Sequence, residues 1–386
     1  MISKVNKHIL FLTRWYPSDV DPMLGLFVRN HAIAAGQAGY KITVAYISAS
    51  QDISSKENKD SFIGVSTVVK DNLTEVIVYY KSDSIFNPLI QLMAWIKAVN
   101  VAIKTNGKPD AVHAHILTRT AFIAMVLSIW YRVPYMITEH WSRYFAENPG
   151  YTGFLRKIIT KMVVKKATAV TVVSKRLYHA MQRNGLNFKL NILPNVVDTD
   201  VFRINENRNK TFRFISISCF EEQSKNLKMI IDAASRLSEY DSDFQIVFVG
   251  DGTDRGMIEK YAVDKAVEAV FTGTLSPEGT ASILGQSHCL VLSSNYETFG
   301  IVAYEALLCG IPVITTDVAD LKEVINNNNG KIIPVGDTVA LAAAMLEVKQ
   351  NYKKYNPVLL RESVFDICSN ASVSDRLNQL YKQMTD

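Results

Sequence analysis

The stretch Asn295–Leu307, which reads NYETFGIVAYEAL, decides the fold of this 386-residue chain. The apolar run Cys289–Leu292 precedes it and has the length and composition of a buried strand. A polar turn follows, and then an apolar helix that we expect to end at Gly310, ahead of Pro312. A strand, a short polar turn and a helix form the edge of an open α/β sheet at which ligands bind. The stretch therefore predicts an α/β protein with a ligand at this turn.

The turn combines acidic side chains with free backbone amides. Glu297 precedes the predicted helix, and Glu305 lies about one turn into it. The first amides of a helix and its dipole attract anions, and here they belong to Phe299, Gly300 and Ile301. Carboxylates accept hydrogen bonds from ribose hydroxyls and amides bind phosphate, so the pattern indicates a nucleotide. A solvated helix residue at 305 and a turn residue at 297 are equally compatible with this spacing, which is common.

Strands and helices alternate along most of the chain, which is typical of parallel α/β sheets. The alternation restarts after the polar segment Asn205–Lys210, which we interpret as a linker. We predict Rossmann-like domains at residues 1–204 and 205–364, and a helix within 365–386 that packs across the domain junction. Two such domains place a ligand in the cleft between their parallel sheets. Other predicted features are the polar excursion Gln51–Asp60, the paired strands Phe62–Val69 and Glu75–Tyr80, and the strand Leu190–Leu193.

Composition excludes several classes of protein. With 48% hydrophobic residues the chain can bury a large core. The start, Met1–Lys7, does not resemble a secretory signal, and the longest apolar run, Thr120–Tyr131, is too short to cross a bilayer. Four scattered cysteines form no CxxC pair, and no histidine pair has metal-ligand spacing. We therefore expect a cytoplasmic protein with reduced thiols and no metal site.

The net charge of +5 conceals a strong asymmetry. Residues 1–204 carry 25 Lys and Arg against 13 Asp and Glu, whereas residues 205–386 carry 17 against 24. The basic half suits an anionic ligand or surface. We do not expect nucleic acid, because the lysines lack the interleaved aromatic residues of a strand-binding groove. The segment Phe154–Lys166 has one apolar and one basic side, as in helices that lie on an anionic membrane; an ordinary helix with a solvated basic face is the alternative.

Several motifs follow one another in a fixed order. They are Trp15-Tyr16-Pro17 with Gly25–Val28, Ser174 before a helix, Pro194–Asp198 with Phe202, Lys225-Asn226 before a helix, Gly250-Asp251-Gly252 after a strand, Glu297 and Glu305, and Gly310–Val313. This order resembles the retaining GT-B glycosyltransferases of family 4, and the resemblance covers nearly the whole chain. The opening motifs are similar to members that build bacterial capsule, exopolysaccharide or O-antigen chains.

The resemblance implies roles for the matching residues. Glu305 would hold the donor's ribose, and Glu297 would lie beside the transferred sugar. Lys225 would neutralise the diphosphate leaving group, helped by the amides of the 299–301 turn, and His140 would approach the donor sugar from the first domain. Further donor-binding positions are Gly25, Gly250 and Gly252, and weaker acceptor-side candidates are His113, His115 and Arg14. For the two histidines at 113 and 115 a role in the core is equally compatible, since alternate strand positions share one face.

One departure from the family pattern concerns the leaving group. Many members carry an arginine about five residues before the lysine, and this chain has Cys219-Phe220 there. Either another cation substitutes, or Lys225 and the helix amides stabilise the charge without it.

The expected function is retaining, metal-independent glycosyl transfer from a UDP- or GDP-sugar, without a cofactor, to a glycan or lipid-linked acceptor of envelope polysaccharide synthesis. Metal independence is expected because no DxD-type carboxylate cluster stands at a strand end, where it would hold Mg²⁺. The expected location is the cytoplasm, with peripheral binding to the inner face of the cytoplasmic membrane. Two alternatives remain open. One is a GT-B nucleotide-sugar epimerase, and the other is an idle sugar-nucleotide-binding partner protein, which the missing arginine favours.

Overall fold

A computed structural model describes residues 7–50, 63–81, 87–117, 119–205 and 207–386. The predicted excursion Gln51–Asp60 lies outside the described residues. The chain divides into two compact units, Met1–Val196 together with Asn370–Asp386, and Val197–Ser369. This division differs from the boundaries after residues 204 and 364 that the sequence suggests.

The first unit contains a seven-stranded sheet. Its strands are β1 (His8–Thr13), β2 (Lys41–Ala49), β3 (Ile63–Lys70), β4 (Leu73–Tyr80), β5 (Ala111–His115), β6 (Tyr135–Glu139) and β7 (Ala169–Val172). They are ordered β3-β4-β2-β1-β5-β6-β7, and all neighbours are parallel except the hairpin of β3 and β4. The helices are α1 (Leu26–Gln37), α2 (Asn87–Asn106), α3 (Arg119–Tyr131), α4 (Phe154–Lys166) and α5 (Lys175–Arg183), with a 3₁₀ turn at Ser142–Tyr144.

The second unit contains a six-stranded, fully parallel sheet. Its strands are β8 (Phe212–Ile217), β9 (Phe244–Val249), β10 (Ala269–Phe271), β11 (Cys289–Leu292), β12 (Val313–Thr316) and β13 (Gly330–Ile333), ordered β10-β9-β8-β11-β12-β13. Its helices are α6 (Glu222–Lys225), α7 (Leu227–Ser238), α8 (Arg255–Asp264), α9 (Pro277–Gln286), α10 (Ile301–Leu308), α11 (Thr338–Gln350) and α12 (Pro357–Cys368), with 3₁₀ turns at Leu321–Glu323 and Tyr352–Lys354. The last helix, α13 (Asn370–Thr385), belongs to the first unit.

Each sheet has one point at which the order of its strands reverses. It lies between β1 and β5 in the first unit and between β8 and β11 in the second. Right-handed crossovers put the helices that leave such a pair on opposite faces of the sheet, so a crevice opens at the carboxyl ends of the two strands. The topology thus gives each unit one preferred place for a ligand.

Strand burial explains why these segments form parallel sheets. All five residues of β5 and all five of β6 are buried, so both faces of the sheet are covered at its centre. On one face, α13 packs against α1, and the buried Tyr381 hydroxyl lies 2.7 Å from His113 Nδ1. The final helix therefore completes the core of the unit in which the chain begins.

The prediction of a strand at Leu190–Leu193 is wrong. Ile192 makes an isolated bridge with Val172, and no strand forms there. Pro194 follows at once and has no N–H to donate, which prevents the ladder from continuing.

No helix in the described part of the chain is both long enough and apolar enough to span a membrane.

Two glycines of the second unit give a test of this packing. A Cβ on Gly250 would lie 1.8 Å from the Ser218 carbonyl oxygen, and the residue has φ of 128°. We expect Gly250→Ala to lower the free energy of unfolding by about 2 kcal/mol or more, measured by urea denaturation. Gly256→Ala in α8 is the matched control, because a Cβ added there would meet no atom within 4 Å; it should be neutral or stabilising by up to ~1 kcal/mol. Equal losses of unfolding free energy in the two variants would contradict the close packing around Gly250.

Candidate active site

The reversal point of the second sheet brings together the residues that follow β8 and β11. Hydrogen bonds fasten the segment after β11 onto α6. Ser293 Oγ donates to the carbonyl oxygens of Lys225 and Asn226 at 2.9 Å, and the Asn295 backbone N–H donates to Ser224 at 2.8 Å. Two stretches about 70 residues apart in sequence are thereby held as one surface.

Lys225 and Glu297 form an ion pair on this surface. The Lys225 Nζ atom lies 2.5 Å from Glu297 Oε1, and Ser294 Oγ donates to the same oxygen at 2.9 Å. Both charged side chains are partly buried. Burial by itself would lower the pKa of Lys225, but the adjacent Glu297 carboxylate outweighs burial, and the pKa is raised. The lysine therefore carries its charge at neutral pH.

The N-terminus of α10 supplies free amides beside this pair. Gly300 caps the helix with φ of 73°, and a Cβ there would lie 3.1 Å from Leu321 Cδ1. The Phe299 ring is buried and stacks on Tyr304 with ring centroids 4.4 Å apart. Among the described residues, none accepts a hydrogen bond from the N–H of Phe299 or Gly300. The predicted anion-binding amides, with Ile301 as the first helical residue, are therefore available.

Glu305 differs from Glu297 because nothing in the described part of the chain pairs with its carboxylate. It lies in the second turn of α10, near the thiols of Cys309 and Cys368. Burial alone raises the pKa of Glu305 from 4.5 to about 7. A partly buried carboxyl without a donor is costly, so the position requires either a proton or a ligand that donates hydrogen bonds.

The remaining predicted donor residues of this unit have structural reasons to be glycine. Gly250 packs against Ser218, and a Cβ on Gly252 would lie 2.5 Å from the Phe220 carbonyl oxygen. Phe220, which stands where many family members have arginine, is buried in the hydrophobic core near Phe248. The donor-binding roles of Gly250 and Gly252 stay predictions.

In the first unit, His140 belongs to a buried cluster of histidines at the reversal point. Its Nε2 lies 3.1 Å from Nδ1 of His115, and its ring centroid lies 5.6 Å from that of His31. Burial, followed by the neighbouring rings of His31 and His113, lowers the pKa of His140 well below its usual value. The imidazole is therefore neutral at physiological pH, and its catalytic role stays a prediction.

Ring nitrogens of His31, His115 and His140 lie within 4.8 Å of one another, which is the spacing of a potential metal site. The hydrogen bonds argue against three ligands. His31 Nε2 must donate to the Pro194 carbonyl oxygen, which leaves Nδ1 as an acceptor. Within the His115–His140 pair one nitrogen donates to the other, so only one of their two remaining nitrogens has a free lone pair. The intact network thus offers two lone pairs rather than three.

His113 lies deeper than the acceptor-side prediction requires. It is fully buried, and its nitrogens lie 2.7 Å from the Tyr381 hydroxyl and 2.6 Å from Thr138 Oγ1. This geometry supports the alternative of a core histidine. His115 is equally buried, but its Nε2 has no partner in the described part of the chain.

Sequence reasoning missed the part that Glu139 and Arg143 play here. The fully buried Glu139 carboxylate accepts hydrogen bonds from the backbone N–H groups of Leu117, His140 and Trp141, at 2.8–3.0 Å. Arg143 lies 3.8 Å from the same carboxylate and donates to the Leu117 carbonyl oxygen. One buried ion pair therefore shapes the loops after both β5 and β6. The only sign of this ion pair in the sequence is an acidic residue at a strand end, followed four residues later by an arginine.

Gly25 and Arg14 lie after β1, on the other side of the reversal point. A Cβ on Gly25 would lie 2.3 Å from the Trp15 carbonyl oxygen, and φ is 72°, so the loop is closely packed there. Arg14 is exposed, and its guanidinium lies 5.2 Å from the centroid of the Trp141 ring.

Comparison with known proteins identifies the class that this arrangement represents. The model described as Glycosyltransferase Family 4 matches residues 24–201, and the model described as Glycosyl transferases group 1 matches residues 197–358. The two matches meet where the structure divides into units. The chain belongs to the GT-B glycosyltransferases of family 4, which confirms the fold, the family and the enzyme class expected from the sequence.

Three similar proteins illustrate the relationship. A glycosyltransferase of Bacillus subtilis named for teichuronic acid biosynthesis, TuaC, is 23% identical over 98% of this chain and 98% of its own. The structure of sucrose-phosphate synthase from Thermosynechococcus elongatus superposes with a TM-score of 0.76 at 18% identity, covering 98% of this chain and 99% of the other. Anabaena HepE in complex with UDP gives a TM-score of 0.71 at 13% identity, covering 97% and 100%. The two structural likenesses show the fold.

The isolated carboxyl of Glu305 generates a prediction for the ligand-free protein. Because its folded pKa lies above the unfolded value, the folded state holds the proton more tightly, and the stability that this provides is lost as pH rises from about 4.5 to 7. Glu305→Gln removes the carboxyl that must ionise. We expect the variant to gain stability relative to the wild type between pH 4.5 and pH 8, by up to about 3 kcal/mol in urea denaturation. A stability difference that does not change with pH would contradict the raised pKa.

Proposed function

We propose that the enzyme transfers a sugar from a nucleoside-diphosphate sugar bound at the β8–β11 reversal point of the second unit. The observation that carries the proposal is the unpaired Glu305 carboxyl beside the free amides of α10. Ribose hydroxyls would supply the donors that Glu305 lacks, and the helix N-terminus would bind phosphate. UDP is bound in the structure of HepE, which supports a uridine nucleotide as the first candidate.

Lys225 and the α10 amides would stabilise the departing diphosphate. A fixed ammonium and oriented N–H groups act where negative charge develops, at about 3–4 kcal/mol per well-aimed donor. These groups would act in place of a metal ion, and in place of the arginine that many family members carry where this chain has Cys219-Phe220. On this basis we propose metal-independent transfer.

For the stereochemistry we propose retention, which rests on the family resemblance. Glu297 would be the nucleophile of a double displacement, but Lys225 and Ser294 both bind its Oε1. A carboxylate neutralised by an ammonium is a weaker nucleophile. The pairing therefore supports same-face attack guided by the leaving phosphate.

The proposed pathway is the synthesis of an envelope polysaccharide, with a glycan or lipid-linked acceptor. The name of TuaC, which matches 98% of this chain, supports a bacterial cell-wall or surface polymer.

Two substitutions separate the proposed roles in a steady-state assay of nucleotide release from the donor. Lys225→Ala should lower kcat about 100-fold or more with a small change in KM for the donor, because the lysine acts on charge that develops in the transition state. Glu305→Gln should raise the donor KM about tenfold or more with a smaller change in kcat, since a ribose contact is present in both the ground state and the transition state.

Arg183→Gln on α5 is the control, since this exposed arginine lies outside both reversal points. Excess chelator should leave the wild-type rate unchanged. Product analysis excludes an epimerase when the sugar appears on an acceptor and the nucleoside diphosphate is released. Wild-type rates in both site variants would contradict the roles assigned to Lys225 and Glu305.

A separate surface of the first unit supports binding to a membrane. Right-handed crossovers from β4 to β5, β5 to β6 and β6 to β7 place α2, α3 and α4 on one face of the sheet. We call their outer surface the three-helix face. Each helix exposes a group of large apolar side chains: Leu89, Leu92, Met93 and Ile96 on α2, Phe122, Val126, Ile129 and Trp130 on α3, and Phe154, Leu155 and Ile158 on α4.

The charge of the three-helix face supports an anionic membrane as its partner. The three helices contain eight Lys and Arg residues and no Asp or Glu. A second copy of this chain would present the same positive charge and be repelled, whereas an anionic leaflet attracts each nearby cation by about 1 kcal/mol. The exposed apolar groups support an interfacial helix at Phe154–Lys166 over the alternative of an ordinary helix with a solvated basic face. We therefore propose peripheral binding to the inner face of the cytoplasmic membrane.

Vesicle flotation tests the three-helix face. Trp130→Ser and Phe154→Ser each remove a side chain about four-fifths exposed, 79% and 82%. Each should weaken binding to vesicles of phosphatidylcholine with phosphatidylglycerol by about tenfold. The control is Tyr240→Ser in the second unit, where the side chain is 81% exposed. Equal flotation on neutral and anionic vesicles, or unchanged binding of both variants, would exclude this surface as the membrane contact.

A further inference from the structure

A second candidate site lies at the reversal point of the first sheet. A cavity of about 300 Å³ opens there, at the carboxyl ends of β1, β2, β4 and β5. Its lining includes Thr13, the last residue of β1, and Arg14 after it, with Ile116 and Arg119 after β5. This is the location at which open parallel sheets bind ligands, and the cavity has the size of a small-molecule site.

The cavity is positively charged. Arg14 and Arg119 both line it, and none of the described residues that line it is acidic. In the described part of the chain neither arginine pairs with a carboxylate; Arg119 donates to the Gln91 side-chain oxygen, and Arg14 lies against Trp141. Partial burial of the otherwise exposed Arg14, followed by the positive charges of Arg119, Arg143 and Arg156, lowers its pKa. Among the described residues, the two guanidinium groups therefore have no counter-ion of the kind that such a pair would ordinarily attract.

The backbone adds to this positive potential. Helix α3 begins at Arg119, and Thr120, its second residue, also lines the cavity, so the positive end of the helix dipole lies there. Ile116, which is fully buried, has φ of 67°, a strained conformation for a β-branched residue. Such strain is retained where the surrounding structure fixes a loop for a function.

We infer that this cavity binds a phosphate or diphosphate group of the sugar acceptor. The inference rests on the proposed function, because it assigns the acceptor end of the same reaction. A planar guanidinium binds phosphate oxygens in pairs, and two of them at a helix N-terminus match the charge of a diphosphate better than that of a single carboxylate. The acceptor would then be a phosphorylated sugar or a lipid-linked sugar, and a neutral glycan would not use the site.

The position of the cavity favours the lipid-linked form. Gln91 and Trp95 of α2 line it, and the neighbouring Leu92 and Ile96 belong to the apolar group that α2 exposes on the three-helix face. A phosphate held by the arginines would thus lie close to an apolar surface able to contact a hydrocarbon chain.

Calorimetric titration with inorganic pyrophosphate tests the arginine site. The full-length chain carries Lys225→Ala throughout, so that this lysine of the proposed donor site contributes nothing to the binding of pyrophosphate. We expect pyrophosphate to bind this protein, and the added pair Arg14→Gln and Arg119→Gln to weaken binding by about 30-fold or more, since two charge-assisted contacts are lost. As a control, Arg183→Gln is added to the Lys225→Ala protein. It removes one positive charge elsewhere in the first unit and should leave the affinity for pyrophosphate unchanged. Equal affinities with and without the two arginines, or equal loss in the Arg183 variant, would overturn the inference.

Two further measurements separate the inference from the proposed function and define the ligand. UDP should bind the Arg14→Gln, Arg119→Gln protein with a wild-type Lys225 as tightly as it binds the wild type. If the wild type does not bind UDP while pyrophosphate binding still depends on the arginines, the donor assignment fails and the anion site stands. Farnesyl diphosphate should bind at least about tenfold more tightly than pyrophosphate if the apolar surface contributes. Equal affinities would assign the site to a soluble phosphorylated sugar and exclude the lipid-linked acceptor.

Discussion

The hydrogen bonds from Ser293 and Asn295 to the backbone around α6 are the interactions on which the proposed donor site depends. Adjacent parallel strands bring β8 and β11 together, but their loops leave on different faces and would diverge without a direct link. The link fixes Lys225 against Glu297, and Glu297 lies in the loop that leads into α10. A single cation, a carboxylate and a helix N-terminus are thus positioned by short polar contacts at one edge of the sheet. Preorganisation of this kind allows a site to stabilise developing charge without moving at the moment of reaction.

Burial acts on the ionisable groups of the two units in one direction, towards neutrality. It raises the pKa of Glu305 to about 7 and lowers the pKa of His140, His115 and His113 well below the usual value. Lys225 is an exception, because Glu297 compensates its charge. Among the described residues at the β8–β11 reversal point, the second unit therefore holds the ion pair of Lys225 with Glu297 and the uncompensated carboxyl of Glu305. The first unit holds a network of neutral imidazoles, and such rings can orient hydroxyl groups by hydrogen bonds without adding charge.

How far the sequence predicts this structure depends on the range of the interaction concerned. Bounds such as Phe154–Lys166 and Cys289–Leu292 agree with the structure because hydrophobic periodicity and flanking breakers are local signals. Leu190–Leu193 has the apolar content of a strand, and only the lack of a ladder partner beyond Ile192 excludes it. The order of the family motifs could select Glu297, Glu305 and Lys225. It could not predict the ion pair of Lys225 with Glu297. The contacts of Glu139 with Leu117 and Arg143 join loops after different strands, so spacing gives no indication of them.

The concentration of cations on α2, α3 and α4 has a cost within the helices themselves. On α4, Lys157, Lys161 and Lys165 follow one another at intervals of four residues, and like charges at this spacing destabilise a helix by about 0.2–0.5 kcal/mol per pair. A single substitution to glutamate would convert this repulsion into attraction, yet none of the three helices contains an acidic residue. External negative charge would take the place of the missing internal partners and offset this repulsion. Leu155 and Ile158, exposed on the same helix, gain free energy only where an apolar phase is present as well. An interface that is anionic at its surface and apolar beneath would meet both requirements, which supports the proposed membrane contact.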